Sequence, residues 1–205
     1  MHVHLPTGDW VCGCVGHYLD SVERYFGRRP QPHSIEDLVA LYERLDLAGV
    51  LLGWDAQGKE IDNAELGLIL LTHAGTSGLG AGEPGGQGLR IDLARPILLD
   101  RIAARHPNTP VVLAHVGWPW HLEALAMALH KTNVYIDISG WRYRYLPEDV
   151  RREMRRRLRG QVCFGTDYPM FDPEACLAEL TALGLAPEVE RRILRDNAAE
   201  LLGLG

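Results

Sequence analysis

Long apolar runs are missing from this chain. None of its 205 residues lies in a stretch approaching the ~18 consecutive apolar residues that span a bilayer, and the first residues carry no basic-then-apolar leader pattern. No membrane association is therefore expected. A strong positive charge is missing as well. Lys and Arg number 21 against 27 Asp and Glu, a formal charge of −6, which argues against nucleic acid as a partner, since phosphate binding needs a concentrated basic face. Cysteine is scarce, at four residues. Cys12-x-Cys14 is tighter than the Cys-x2–4-Cys spacing of zinc sites, and no second close pair follows. Cys163 falls in an apolar run and Cys176 in a helical pattern, so the thiols read as structural or incidental. A reducing, cytoplasmic setting is the expectation. With no linker and no internal repeat, residues 1–205 are expected to form a single domain around one sizeable core.

What is present is a series of short apolar runs separated by helical patterns. Runs over residues 1–5, 49–54, 68–73, 111–116, 134–139 and 162–167 read as six strands. Several are apolar on both faces, which suits parallel strands covered by helices. Between them, Ser34 with Asp37 forms a capping signature ahead of Leu38, Leu41 and Leu45. Pro119 opens a helical stretch whose stripe is Leu122, Leu125 and Leu129. The arginine-rich segment 147–160 places Val150, Met154 and Leu158 on one face and six arginines in solvent. Asp172-Pro173 starts a helix that ends at Gly184, and a last helix spans about Pro187 to Leu202. Strand–helix–strand order predicts an α/β protein with right-handed crossovers, whose chemistry sits at the carboxyl ends of the strands.

Polar residues collect at those ends. His2 and His4 are two residues apart, so a strand sends both imidazoles to one side. His73, His115 and Asp167 close later runs. Imidazoles with one carboxylate make a donor set for a borderline-soft divalent ion such as zinc, and a buried Asp needs a cation or several donors to stay ionised. The five residues are therefore read as a metal site.

The segment "VVLAHVGWPWHLEALAMALHKTNVYIDISGW" followed by "VCFGTDYP" resembles the amidohydrolase-related family, in the branch containing aminocarboxymuconate-semialdehyde decarboxylase. Particular likeness is to hydrolases of hydroxyphenyl-β-ketoacyl-CoA thioesters. The resemblance implies a TIM-barrel-like metal-dependent hydrolase fold holding one divalent metal ion, zinc or manganese. It implies His2, His4, His73 and Asp167 as metal ligands, with His115 as the catalytic group beside the metal and Asp167 sharing in proton transfer. Asp137 is expected to support the site from behind. The implied chemistry is hydrolysis of an ester, thioester or lactone carbonyl in a small aromatic or conjugated acid. The alternatives are non-oxidative decarboxylation at the same centre, or an inactive truncated barrel with only a structural or binding role.

Two departures from the family pattern stand out. Met1 takes the place of the Asp that usually precedes His-x-His. Between about residues 56 and 67 the family has two complete β/α units, which need some 60 residues or more. The expected barrel is thus shortened or incomplete, with about six of eight strands, and an incompletely closed sheet favours a homo-oligomer.

Trp10, Trp118, Trp120, Trp141, Tyr143 and Tyr145 follow strand ends or lie in the first long loop. They either pack loops onto the rim or contact an aromatic substrate. Arg95 is a candidate partner for a substrate carboxylate, with a surface ion pair as its other reading. His121, after "GWPW", is a further substrate-contact candidate. The glycine-rich stretch 75–88 runs into no immediate helix and reads as a mobile rim loop, not a phosphate cradle.

Overall fold

The computed structural model describes residues 2–3, 10–47, 50–51 and 69–204. His4 and the 56–67 segment lie outside the described residues, as do the side chains of His2 and Trp10.

Among the described residues there are six strands, β1 (His2–Val3), β2 (Val50–Leu51), β3 (Leu70–His73), β4 (Val111–Ala114), β5 (Val134–Asp137) and β6 (Val162–Cys163), and β3 to β6 are each shorter than their apolar runs. β3 to β6 form a four-stranded sheet in sequence order, all neighbours parallel. β1 and β2 form a separate parallel pair, His2 opposite Val50 and Val3 opposite Leu51. Consecutive parallel neighbours require a crossover each time, and helices supply it. The helices are α1 (Leu19–Phe26), α2 (Ile35–Arg44), α3 (Asp100–Arg105), α4 (His121–His130), α5 (Glu148–Met154), α6 (Pro173–Ala182), α7 (Pro187–Arg191) and α8 (Asn197–Leu202). The architecture is that of a TIM-barrel-like α/β fold reduced, among the described residues, to this four-stranded sheet and the separate pair. No helix among them is long and apolar enough to cross a membrane.

The core follows from strands apolar on both faces. All four residues of β4 are buried, and Leu113, Ile136, Ile138, Leu146 and Leu180 are shielded from water. Each such side chain contributes about 1.5–3 kcal/mol by leaving water. Half-buried amides tie the crossovers down. The Asn133 amide reaches the carbonyls of Ala103, His106 and Thr109, and that of Gln161 reaches Ala128, Lys131 and Val134, within 3.1 Å in every case.

Local signals set several boundaries. Ser34 and Asp37 form a reciprocal capping box at α2, and the Asp172 carboxylate accepts from the Ala175 amide at the start of α6. The α4 stripe is a correction: Leu125 is buried, but Leu122 is 59% exposed and Leu129 39%. Ala124 and Ala128, one turn apart, let the helix approach the sheet closely, and the buried face runs through them with Leu125 and Met127. The arginine-rich helix also ends early, at Met154, because the amides of Arg156 and Leu158 both turn back to the Glu153 carbonyl. Its core stripe of Val150, Met154 and Leu158 is buried as the spacing predicts. The C-terminal helix is continuous in direction but widens into a π-helical turn over Arg192–Asp196.

Glu153 is buried in its carboxylate arms beneath Arg157 and Arg152, which together hold its pKa down to about 2. The folded pKa lies below the usual 4.5, so the contribution of this cluster is complete above the unfolded value and is lost as pH falls towards 2. Glu153→Gln is expected to melt a few degrees lower than the parent at pH 7. The gap should narrow between pH 4.5 and 3; melting curves at the two pH values check it.

Candidate active site

The four-stranded sheet presents its carboxyl ends side by side. His73 ends β3, His115 follows β4, Asp137 ends β5, and Asp167 lies four residues beyond β6. Period-two alternation alone does not bring these side chains together; parallel order without a skipped strand does. The His73 and His115 rings lie 4.7 Å apart between centroids, tilted by 58°. His73 Nε2 is 3.2 Å from the Gly75 carbonyl oxygen.

His115 is held in an unusual backbone. Its φ is 64°, followed by Val116 at 65° and Gly117 at 80°. For the two residues with a Cβ the left-handed region costs about 1–3 kcal/mol each, a conformation that survives only where its surroundings enforce it. Two contacts do so here. Trp141 Nε1–H donates to the His115 carbonyl at 3.0 Å, and Ser139 Oγ lies 3.1 Å from His115 Nδ1. Asp167 shares this property, with a φ of 58°. Left-handed backbone recurs at the two groups assigned to proton transfer.

Behind His115 stands a carboxylate. Asp137 is 3% exposed and accepts from the Ser139 amide at 2.6 Å. Burial pushes its carboxyl above the ordinary range, opposed by hydrogen bonds from the Ser139 side chain and backbone and by the neighbouring His115. Asp137, Ser139 and His115 thus lie in a carboxylate–hydroxyl–imidazole chain. Two glycines make room. A Cβ on Gly140, whose φ is 71°, would fall 2.4 Å from His115 Nδ1, and one on Gly165 would fall 2.5 Å from Asp137 Oδ1. Tyr143, which the sequence placed among rim aromatics, is instead fully buried and donates its hydroxyl to the Gly165 carbonyl at 2.6 Å. Apolar neighbours and this one bond make it part of the site's foundation. Ser139 is the residue sequence reading passed over. The signal was available, because in "DISG" positions 137 and 139 share a face.

Asp167 is 9% exposed and its carbonyl accepts from the Met170 amide. Among the described residues no group of three or more His, Cys, Asp or Glu is disposed to hold a metal ion. The expected set draws two of its four donors from His2 and His4, whose side chains lie outside the described residues. The donors that are described, the His73 imidazole and the Asp167 carboxylate, have the chemistry that zinc or manganese accepts.

The remaining candidates separate. Trp118 and Trp141 meet edge to face at 5.7 Å, Trp118 40% exposed and Trp141 half-buried. Arg95 forms an ion pair with Glu123, and its guanidinium sits 5.8 Å from the Trp120 ring centre. That commitment is the surface pair, at a distance from any carboxylate-binding role. His121 opens α4 with Nδ1 buried and, among the described residues, without a hydrogen-bond partner. Cys163 and Cys176 are buried, and loss of hydration pushes both thiols up to about 12, which makes them inert. The first part of the glycine-rich stretch is tied to its neighbours. Gly75 N–H donates to Ala94, Thr76 N–H to Trp118, and Gly80 N–H to Ser21 Oγ.

A profile of the family described as Amidohydrolase matches residues 63–204, more than two thirds of the chain. No curated protein matches significantly. Among solved structures, an uncharacterized TIM-barrel protein from Bordetella bronchiseptica is 19% identical, with a TM-score of 0.69 over 99% of this chain and 98% of that one. An amidohydrolase from Burkholderia multivorans with bound zinc is 13% identical, TM-score 0.57, over 98% and 97%. A 2,6-dihydroxybenzoate decarboxylase from Rhizobium is 15% identical, TM-score 0.53, over 82% of this chain and 66% of that chain. At such identities the likeness is one of fold.

Proposed function

The chain belongs to the amidohydrolase family, and on that footing we propose that it is a metal-dependent enzyme of small aromatic acids, with non-oxidative decarboxylation as its reaction. The observation that carries this reading is the Asp137–Ser139–His115 chain ending against His73 at the carboxyl edge of the sheet. The fold likeness to the Rhizobium decarboxylase supports it.

His73 and Asp167, with His2 and His4, would hold the ion. When bound, the metal supplies Lewis-acid polarisation of a substrate oxygen and a counter-charge for the carboxylate beside it. The chain's own residues move the proton. Ser139 fixes the His115 ring through Nδ1, so Nε2 is the atom that delivers a proton to the ring carbon bearing the carboxylate. The C–H bond forms as the C–C bond breaks, and its electron pair restores the aromatic ring while carbon dioxide departs. Asp137 stabilises the imidazolium before transfer, and Ser139 holds the neutral ring in place after it. Hydrolysis uses the same residues with His115 drawing a proton from water.

Products separate the readings. With zinc or manganese supplied, 2,6-dihydroxybenzoate is expected to yield carbon dioxide and, in deuterium oxide, one deuterium on the ring carbon that carried the carboxylate. Incorporation of ¹⁸O from water into the acid released from an aryl ester or thioester, without carbon dioxide from the acid, assigns the hydrolase instead. Neither product with either metal leaves the inactive barrel.

A further inference from the structure

Helix α4 is apolar on two sides. Ala124, Leu125, Met127 and Ala128 are buried against the core, while Leu122, Ala126 and Leu129 are exposed. Spacings of four and three residues put the exposed three in one stripe along the helix. Leu122 is 59% exposed and Leu129 39%. A helix that is apolar all round belongs in an interior, whereas a surface helix turns charged residues outward. The next helix, α5, does the latter, with Glu148 and Arg152 exposed.

The stripe continues onto its neighbours. The turn Pro96–Leu99 and α3 lie alongside α4. There the Ile97 amide donates to Glu123 Oε2 at 3.3 Å and Lys131 pairs with Asp100 at 2.6 Å. Ile97, Leu98 and Ile102 on this flank are exposed as well. Together the six side chains leave roughly 400–500 Å² of apolar surface in water, the size range of patches that serve as interaction sites. A standard interface covers about 800 Å² of each partner, about 65% of it apolar in homodimers. The face therefore supplies the apolar share of one such contact.

Two observations select a second copy of this chain as the occupant. The charges beside the stripe are already satisfied, Glu123 by Arg95 and Lys131 by Asp100, so nothing here selects a partner of opposite charge. The stripe is also self-complementary, because Ala126 lies four residues after Leu122 and three before Leu129. Antiparallel copies crossing at Ala126 set Leu122 of each against Leu129 of the other, an isologous contact, and the small central side chain lets the two helices approach closely.

We propose that the outward face of α4, flanked by Ile97, Leu98 and Ile102, is the contact between two copies of this chain, with the two-fold axis at Ala126. Because α4 joins β4 to β5, the two central strands of the sheet, this contact is distinct from an edge-to-edge pairing of sheets. It involves neither metal nor substrate and stands apart from the reaction proposed above.

Sedimentation equilibrium of the purified full chain tests it. The parent is expected to be a dimer at about 10 µM, and Leu122→Glu, which puts two unpaired carboxylates into the contact, should raise the dimer dissociation constant about 10²-fold or more. Since Leu122 is exposed in the single chain, the variant should keep the circular dichroism of the parent. A cross-link gives an independent readout. Ala126→Cys, combined with Cys12→Ser and Cys14→Ser, should oxidise to a species of twice the mass that a thiol reductant reverses, because the axis brings the two 126 positions together. A parent that stays monomeric at about 100 µM overturns the proposal. So does a dimer that Leu122→Glu leaves intact, or one in which Ala126→Cys forms no cross-link.

Discussion

His115→Asn is expected to lower turnover about 10²–10⁴-fold, the range supplied by one positioned proton donor, with a melting temperature close to that of the parent. Asparagine is the informative substitute because His115 has a φ of 64°, a conformation Asn tolerates better than most residues. Its amide also remains able to hydrogen-bond toward Ser139. His115→Ala removes the same chemistry but adds strain, so it should lose activity and also about 1–2 kcal/mol of stability. Metal content measured on both variants separates two roles. If His115 acts on protons, the stoichiometry stays at the parent level; loss of metal together with activity would make it a ligand and overturn the assignment.

The largest expected stability effect comes from Gly140→Ala. The added methyl meets two costs at once. A non-glycine residue at a φ of 71° costs about 1–2 kcal/mol. The Cβ would also lie 2.4 Å from His115 Nδ1 and 3.0 Å from its Cγ, and overpacking of this kind adds about 1–3 kcal/mol. The sum, about 2–5 kcal/mol, corresponds in a chain of this size to a melting temperature lower by roughly 5–15 °C. Relief requires the imidazole to swing away from Ser139, so turnover should fall with stability. A variant that melts like the parent and retains its rate would show that His115 does not sit against this backbone. Gly165→Ala tests the same packing from the other side, since its Cβ would fall 2.5 Å from Asp137 Oδ1.

The two substitutions show where sequence reading succeeds and where it stops. Histidine and aspartate at the ends of apolar runs are visible as letters, and parallel strand order then places His73, His115 and Asp137 along one edge. Nothing local announces that residue 115 adopts left-handed backbone, because a histidine there carries no glycine signature; the conformation is imposed by Trp141 and Ser139 from the next crossover. Arg95 makes the same point in charge. It is an arginine beside the Trp120 ring, and Glu123 on α4, 28 positions away, decides that it is already paired.

Helices show a similar division. The box at Ser34 and Asp37 and the cap at Asp172 are contained within four residues each, so local chemistry suffices to set them. The buried face of α4 is not local. Leucines at 122, 125 and 129 and alanines at 124 and 128 both recur at helical spacing, and only the proximity of the sheet selects the smaller set. The sequence by itself determined the alternation of strand and helix, the capped starts and the identity of the polar residues at the strand ends, because each depends on periodicity or on neighbours a few positions apart. Tertiary structure alone decided which of those residues touch, that Arg95 is paired, and which backbone is strained, because these depend on contacts between segments that the chain brings together only after its sheet has formed.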